Sequence, residues 1–419
     1  MIVFRVTQNI NIKTTDGTLV NYFRFKNPSN MENETVYITT YSDFKDLKTI
    51  FSKVDKDKYI PKVFEEKRVR ELENFPIELG IENLDEYKKR ESSDELFFYD
   101  MQSVDIYKQL KNIKNDEIKI AFIGGVGASI SQIISSLAAL RILHKKLKEI
   151  YKSVNFDLYI DASNNSYYTR DKQIYLTQDY ISNIFPLSIT SKKLCEYDYF
   201  IDNSVKIEEI FDELNIVDAW LTKFGIDYKK IVEKDKYSVI NLLRYKPQDS
   251  LLTKIQTAKQ RGKVLLFHPY SANINKSIPQ AFAVEMLKEL ILKLDNYTIV
   301  TTLNIDSKIK EFDYLDLSKE SKSIEDFMFI ISSMDQVISV DTSTYHISEI
   351  FMIPTVTIFT DKEFEKKIKY YNYVKPIYVK DRSKNLSKFI YENDSLTVNK
   401  FDSWKKLKIN KIIKLLDSF

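Results

Sequence analysis

A carboxylate, two hydroxyls and an imidazole stand close together at Asp341, Thr342, Ser343 and His346. They follow an apolar, β-branched run at residues 337–340 and precede a second such run at 356–359. Residues 345–351 give about one or two helical turns, and Ile353-Pro354 stops them. A polar turn that opens a helix at the carboxyl end of a buried strand is a ready anion site. Free backbone N–H groups and the helix dipole both point at the ligand. His346 adds a donor inside the first turn. The same residues also fit an ordinary β-α unit with a capped helix and a packing histidine, and the pattern alone leaves both open.

A second cluster lies upstream. An apolar run at 264–267 ends in His268, and the loop after it carries Ser271 and Lys276 before Pro279. Proline suits the first helical turn, and Phe282, Met286, Leu287, Leu290, Ile291 and Leu294 then recur on one helix face. A lysine in such a loop could offset the charge of a bound anion, although a single loop lysine is more often simply solvated. Residues 297–302 read as the next strand, ending at Thr302 where a base or ribose pocket would lie. Asp306 and Glu311 are nearby acidic candidates for ribose hydroxyls.

A third set lies in the first half. Glycine is scarce, and three of the 7 glycines fall at Gly124, Gly125 and Gly127, between an apolar run at 118–123 and Ser129. A helix follows, with Ile130, Ile133, Ile134, Leu137, Leu140 and Leu143 at helical period. Gly125 and Gly127 would let the loop approach an acceptor or turn tightly. A dinucleotide loop is a weaker fit, since Ile130 and Ser131 stand where a third glycine belongs. Strands read at 156–160 and 197–201 end in Asp161 and Asp202, carboxylates where open α/β sheets place their chemistry. Either could take a proton, or merely start a turn. Ser129 is a poor base without a partner.

The elements that position these residues alternate strand and helix, so the chain reads as α/β with doubly wound domains. We expect residues 1–115 to be an N-terminal α/β extension, with strands at 1–6, 19–25 and 36–40 around a turn at 14–18. Its highly charged stretch, 53–95, has helical character at 67–73. Residues 116–245 form the first Rossmann-like domain, 246–400 the second, and 401–419 a terminal helix. The helix at 211–226 precedes a polar crossing at 227–249. With 419 residues, 43% of them hydrophobic and 29% charged, the chain can bury two or three cores. A net charge of +3 argues against a nucleic-acid partner. The single Cys195 and the scattered His144, His268 and His346 give no metal-ligand cluster. No apolar run is long enough to span a membrane and no leader pattern opens the chain, so the expected location is cytoplasmic. In the terminal helix, Ile409, Ile412, Ile413 and Leu416 share a face ringed by lysines. That suits peripheral contact with anionic lipid at the inner membrane face or, as the favoured expectation, packing on the N-terminal half.

The two second-half clusters resemble the signature of the heptosyltransferase-like glycosyltransferases (family 9, GT-B fold). Asp341, Thr342 and His346 match its Asp-Ser/Thr-x-x-x-His pattern and Pro354-Thr355 its Pro-Thr pair, while Ser343 replaces the usual glycine. His268, Pro269, Ser271, Lys276 and Pro279 match the upstream motif, with Tyr270 for glycine and Ile278 for tryptophan. The glycine loop and residues 135–143 resemble the family's opening motif, except that Ala128 replaces the loop aspartate regarded as the general base. The resemblance runs from Ile118 to the C-terminus.

It implies two Rossmann-like domains facing a cleft and an inverting, metal-independent transfer of a sugar to an acceptor hydroxyl. The sugar would be a heptose on an ADP donor by family habit, with GDP or UDP donors also compatible and no other cofactor. Its donor residues would be His268, Ser271, Lys276, Thr302, Asp341, Thr342, Ser343 and His346. Its catalytic base is unassigned among Asp161, Asp202 and Ser129. The acceptor would be a surface glycan, lipid-linked or protein hydroxyl, and the extension could serve oligomer assembly. Two rivals remain open. Ala128 suits a non-catalytic nucleotide-sugar-binding or assembly protein that keeps the fold. A nucleotide-sugar epimerase or dehydrogenase would use a Tyr-x-x-x-Lys pair, a spacing found at Tyr107/Lys111 and Tyr371/Lys375.

Overall fold

A computed structural model describes residues 2–6, 9–23, 36–54, 62–63, 106–203, 214–305, 314–380 and 404–419. The helical stretch expected at 67–73, Asp306 and Glu311 lie outside these residues. The chain divides into two units, Met1–Ser238 and Val239–Phe419.

In the first unit, strands β1 (Ile2–Arg5), β2 (Ile10–Lys13), β3 (Leu19–Tyr22), β4 (Tyr37–Thr39) and β5 (Lys62–Val63) precede the parallel core. The turn at 14–18 joins β2 to β3 in an antiparallel hairpin, so the sequence reading had missed β2. Helix α1 (Tyr41–Val54) follows β4, and α2 (Ile106–Lys111) leads into the core strands. These are β6 (Glu117–Ile123), β7 (Ser153–Ile160), β8 (Ile181–Pro186), the short β9 (Ile189–Thr190) and β10 (Tyr199–Asp202). Their helices are α3 (Ile130–Lys148), α4 (Tyr168–Leu176), α5 (Ser191–Leu194) and α6 (Ile216–Lys223). The parallel sheet runs β10-β6-β7-β8, and β9 turns away to join a second sheet ordered β5-β1-β4-β9. Through that pairing Val36 and Ile38 enter the core formed by Ala121, Ile123, Tyr159 and Leu187. The first residues of the chain are therefore packed into the first unit.

The second unit holds a six-stranded sheet ordered β13-β12-β11-β14-β15-β16. Its strands are β11 (Lys263–His268), β12 (Tyr297–Thr301), β13 (Leu315–Asp316), β14 (Gln336–Val340), β15 (Thr355–Phe359) and β16 (Val374–Tyr378). Every pairing in it is parallel. The central strands read as mostly apolar runs because helices cover both faces. Those helices are α7 (Asp249–Arg261), α8 (Gln280–Lys293), α9 (Ile324–Ser332), α10 (Ser343–Ile350), α11 (Phe364–Lys367) and α12 (Ile409–Leu416). The terminal helix corrects an expectation. Ile409, Ile412 and Leu416 of α12 are buried with Met286, Leu290 and Ile377 in the second unit's own core, not against the N-terminal half. Lys406, Lys408, Lys411 and Lys414 are exposed, so the apolar stripe that suggested lipid contact is already covered. Among the described residues no helix is long and apolar enough to cross a membrane.

Candidate functional site

In the second unit the chain first builds β11, works outward through β12 and β13, then returns to place β14 on the other side of β11. Such a reversal parts the loops on its two sides and leaves a crevice beyond the strand ends, where open α/β sheets bind ligands. The two motifs singled out in the sequence are the loops after β11 and β14, the two strands that flank this point. Asp341 directly follows β14 and is buried. One of its oxygens lies 2.9 Å from the Lys276 amine and 2.9 Å from the Lys367 amine. Burial alone would raise the Asp341 carboxyl, but Lys367 and Lys276 hold it below its ordinary value. Two ammonium groups share this buried carboxylate, and the more exposed Asp361 stands 3.9 Å from the Lys367 amine. Both amines remain partly exposed, at 33% and 26% for their side chains.

Helix α10 begins beside them. Its N-cap, Thr342, is extended and makes no side-chain capping bond, so the cap leaves first-turn N–H donors open. The Thr344 hydroxyl in that turn is fully buried without a hydrogen-bond partner. The loop after β11 is tied into shape by Ser277, whose hydroxyl accepts from the Ser271 amide at 2.9 Å and lies 3.1 Å from the Ser271 carbonyl. Thr360, after β15, donates to the Asn275 carbonyl at 3.0 Å. Lys276 thus sits on an anchored turn. A cavity of about 450 Å³ adjoins this loop, lined in part by Tyr270, Ser271, Ile274, Gln280, Asn304 and Ile305. Its size falls within the range of small-molecule sites.

The two histidines carry no charge here. His268, ending β11, meets Thr302 at 3.0 Å, and burial pushes its pKa down to about 4. His346 meets the Tyr371 hydroxyl at 2.5 Å, and burial, with Lys367 and Lys276 adding to it against the opposing pull of Asp341, pushes its pKa down to about 3. A neutral His346 can contribute hydrogen bonding but no charge, and the positive charge beside Asp341 comes from the lysines. A pH dependence follows. Each histidine stays neutral in the folded chain but charges near 6.5 when unfolded, so the unfolded state binds more protons below that value. Stability should be full above about pH 6.5 and fall by about 1.4 kcal/mol per pH unit for each histidine as pH drops toward 4. Urea unfolding between pH 7 and pH 4 reads this slope, and His268→Gln should flatten it.

The first unit places the remaining candidates. Its parallel sheet also reverses, with β10 on the far side of β6 from β7, and the glycine loop follows β6. The loop's amides are used internally. Gly124 N–H donates to the Tyr159 carbonyl, Val126 N–H to the Tyr175 hydroxyl, and those of Ala128 and Ser129 to Gln132. They do not form a phosphate cradle, which removes the main support for a dinucleotide reading. A Cβ on Gly125 would stand 2.7 Å from the Tyr175 hydroxyl, and one on Gly127 2.7 Å from Gln132 Cβ and the Ile133 amide. Tight internal packing accounts for both glycines. Gly127→Ala should cost about 1–3 kcal/mol in thermal or urea unfolding, because backbone must move to admit the methyl.

Ser129 is the N-cap of α3 in a capping box with Gln132, a role that engages its hydroxyl. Asp202 ends β10, and its main-chain carbonyl accepts from the buried Lys223 amine at 2.5 Å. Burial lowers the Lys223 pKa to about 8. Asp161, just past β7, accepts from the Thr40 hydroxyl at 3.0 Å. Burial first, and the charge of Asp43 next, push its pKa up to about 7. Reasoning from sequence missed Lys367, Asp43 and Thr40, and it singled out Tyr371 only for its spacing to Lys375, not for its bond to His346. Lys367 lies in a charge-rich stretch that reads as solvated surface, and Asp43 acts on a partner far along the chain.

No family model matches the sequence, and no curated protein matches it. Solved structures do show a likeness. A family 9 glycosyl transferase from Veillonella parvula DSM 2008 is 11% identical, with a TM-score of 0.48 over 72% of this chain and 98% of its own. The E. coli heptosyltransferase WaaC with ADP is 12% identical, with a TM-score of 0.47 over 72% and 99%. The iron-containing dodecameric glycosyltransferase TibC from enterotoxigenic E. coli H10407 is 9% identical, with a TM-score of 0.41 over 73% and 76%. These structures include a family 9 glycosyl transferase and a heptosyltransferase, the family that the motifs of this chain resemble.

Proposed function

We propose that this chain is a glycosyltransferase that moves a sugar from a nucleotide-diphosphate donor to an acceptor hydroxyl, with inversion and without a metal. The observation that carries this reading is the pairing of Lys276 and Lys367 on one Asp341 oxygen, beside the open start of α10. Two ammonium groups and backbone N–H donors can neutralise a departing diphosphate, the task a divalent cation performs elsewhere. His346 and Thr342 would orient its oxygens, and Ser271 would help hold it. The adjoining cavity, lined in part by Tyr270 and Asn304, would take the nucleoside. The motif resemblance favours ADP as the nucleotide, a heptose as the sugar and a surface glycan or protein as the acceptor.

A non-catalytic nucleotide-sugar-binding protein is the second reading, favoured by Ala128 in place of a loop carboxylate. Turnover separates the two. ADP-glucose, GDP-mannose and UDP-glucose incubated in EDTA should yield nucleoside diphosphate from one donor, with proton NMR showing the inverted anomer of the released sugar. Donor binding without nucleotide release would favour the non-catalytic reading.

A further inference from the structure

The glycine loop carries no carboxylate, yet the first unit contains a built pair of them one strand away. Asp161 follows β7, and Asp43 lies in the first turn of α1. Asp43 is fully buried and accepts from the Thr39 hydroxyl at 2.7 Å and from the Ser163 and Ala162 amides at 3.1 and 3.4 Å. It thereby grips the backbone immediately after Asp161. Thr40 completes the arrangement, accepting from the Asp43 amide at 3.1 Å while its hydroxyl donates to one Asp161 oxygen at 3.0 Å. Among the described residues no hydrogen bond reaches the other Asp161 oxygen, so one oxygen is fixed and the second is left for a proton.

We propose that Asp161 takes the proton of the attacking hydroxyl and that Asp43, supplied by the N-terminal segment, is its positioning residue. The assignment rests on the glycosyl-transfer reading above. The acceptor O–H proton passes to the second Asp161 oxygen as the acceptor oxygen's lone pair forms the bond to the anomeric carbon. The electron pair of the breaking carbon–oxygen bond leaves on the diphosphate. The titratable groups facing Asp161 are Asp43 and Asp46 from α1 and Asp171 from α4, all acidic, with Tyr175 of α4 also near. Burial raises the Asp43 carboxyl as well, so Asp43 and Asp161 titrate as a pair that resists carrying two charges at once. Asp171 is itself paired with Arg170 at 2.6 Å. Acidic neighbours and burial both disfavour charge on Asp161, which explains a carboxyl that titrates near neutrality and suits proton transfer there. Thr40, Asp43 and Asp46 then do more than extend the fold, because they set the basicity of the catalytic group.

The test combines a titration with turnover. In the full chain carrying carboxyl-labelled aspartate, carbon NMR should show one aspartate titrating near pH 7, absent in Asp161→Asn. Asp43→Asn should move that titration at least one unit lower by removing a negative neighbour. Thr40→Val should move it higher by removing the bond to the anion, and a melting curve confirms that each variant is folded. Turnover of whichever of ADP-glucose, GDP-mannose or UDP-glucose is hydrolysed should fall about a hundredfold in Asp161→Asn, with binding of the matching nucleoside diphosphate unchanged. In Asp43→Asn the acid limb of the rate profile should shift with the NMR titration. Full turnover in Asp161→Asn, or no aspartate titrating above pH 6, overturns the assignment. A wild-type chain that neither binds nor releases any nucleotide would instead overturn the glycosyl-transfer reading.

Discussion

Replacing Lys276 and Lys367 together by alanine should reduce nucleoside diphosphate affinity by more than a thousandfold, beyond the product of the single changes. A charge-assisted hydrogen bond contributes about 1.5–3 kcal/mol, and partial exposure places each single variant near the lower figure. Each single change should therefore weaken binding about tenfold. The pair is not additive because both amines share one Asp341 oxygen. Removing one leaves Asp341 compensated by the other. Removing both takes two positive charges from the place where the diphosphate must sit and leaves the carboxylates of Asp341 and Asp361 there. The double variant should also lose stability near neutral pH, since a buried carboxylate is left without these cations. Adding Asp341→Asn should restore folding but not affinity. Calorimetry with ADP and a melting curve on the four proteins separate lost binding from lost fold.

Lys236→Ala should destabilise the first unit by about 3–5 kcal/mol, a large change for a lysine that belongs to neither motif of the proposed site. Its amine lies 2.6 Å from Asp218, and the two side chains are 3% and 0% exposed. Truncation strands the Asp218 charge in a place without water, and that penalty, not the intrinsic strength of the pair, sets the loss. The matched double change Lys236→Met with Asp218→Leu should recover most of the stability, because removing both charges removes the desolvation cost. The pair matters for architecture as well. It fastens the stretch after α6, which Arg141 also holds through the Asp235 and Tyr237 carbonyls at 2.6 and 2.8 Å. Hydrogen exchange resolved by residue reports the first unit separately, so the second serves as internal reference.

Much of this molecule is legible in its sequence for physical reasons that can be named. The core strands of both parallel sheets are mostly apolar, as burial on two faces favours, with single polar residues such as Asp157, Ser339 and Thr357 buried among them. The polar loops at 268–279 and 341–343 stand out because they interrupt such runs at strand ends. Short strands are harder. In β2, alternation of Ile10 and Ile12 with exposed neighbours over four residues is too brief to separate from a loop. β16 hides in a basic, tyrosine-rich stretch. The amphipathic pattern of α12 says that one face is covered but not by which unit, and the structure gives the second.

The site shows the same division. The Lys276–Asp341 contact is legible as two motifs, whereas Lys367 is not, because a lysine in a charge run carries no mark of the carboxylate it will meet. Ser129 is visible as a hydroxyl beside glycines, and only the fold shows it engaged as a cap. Asp43 is the furthest from reach. Its meaning depends on a strand end contributed by a distant part of the chain, and nothing local announces it.

The most direct test of the account is calorimetry of the wild-type chain against ADP, GDP, UDP, CDP and NAD⁺, each with EDTA and with Mg²⁺. The account predicts that one nucleoside diphosphate binds in EDTA, that Mg²⁺ adds little to its affinity, and that NAD⁺ does not bind. Preference for NAD⁺, or a strict need for Mg²⁺, or silence toward all four diphosphates, would contradict a lysine-based diphosphate site at the reversal of the second sheet.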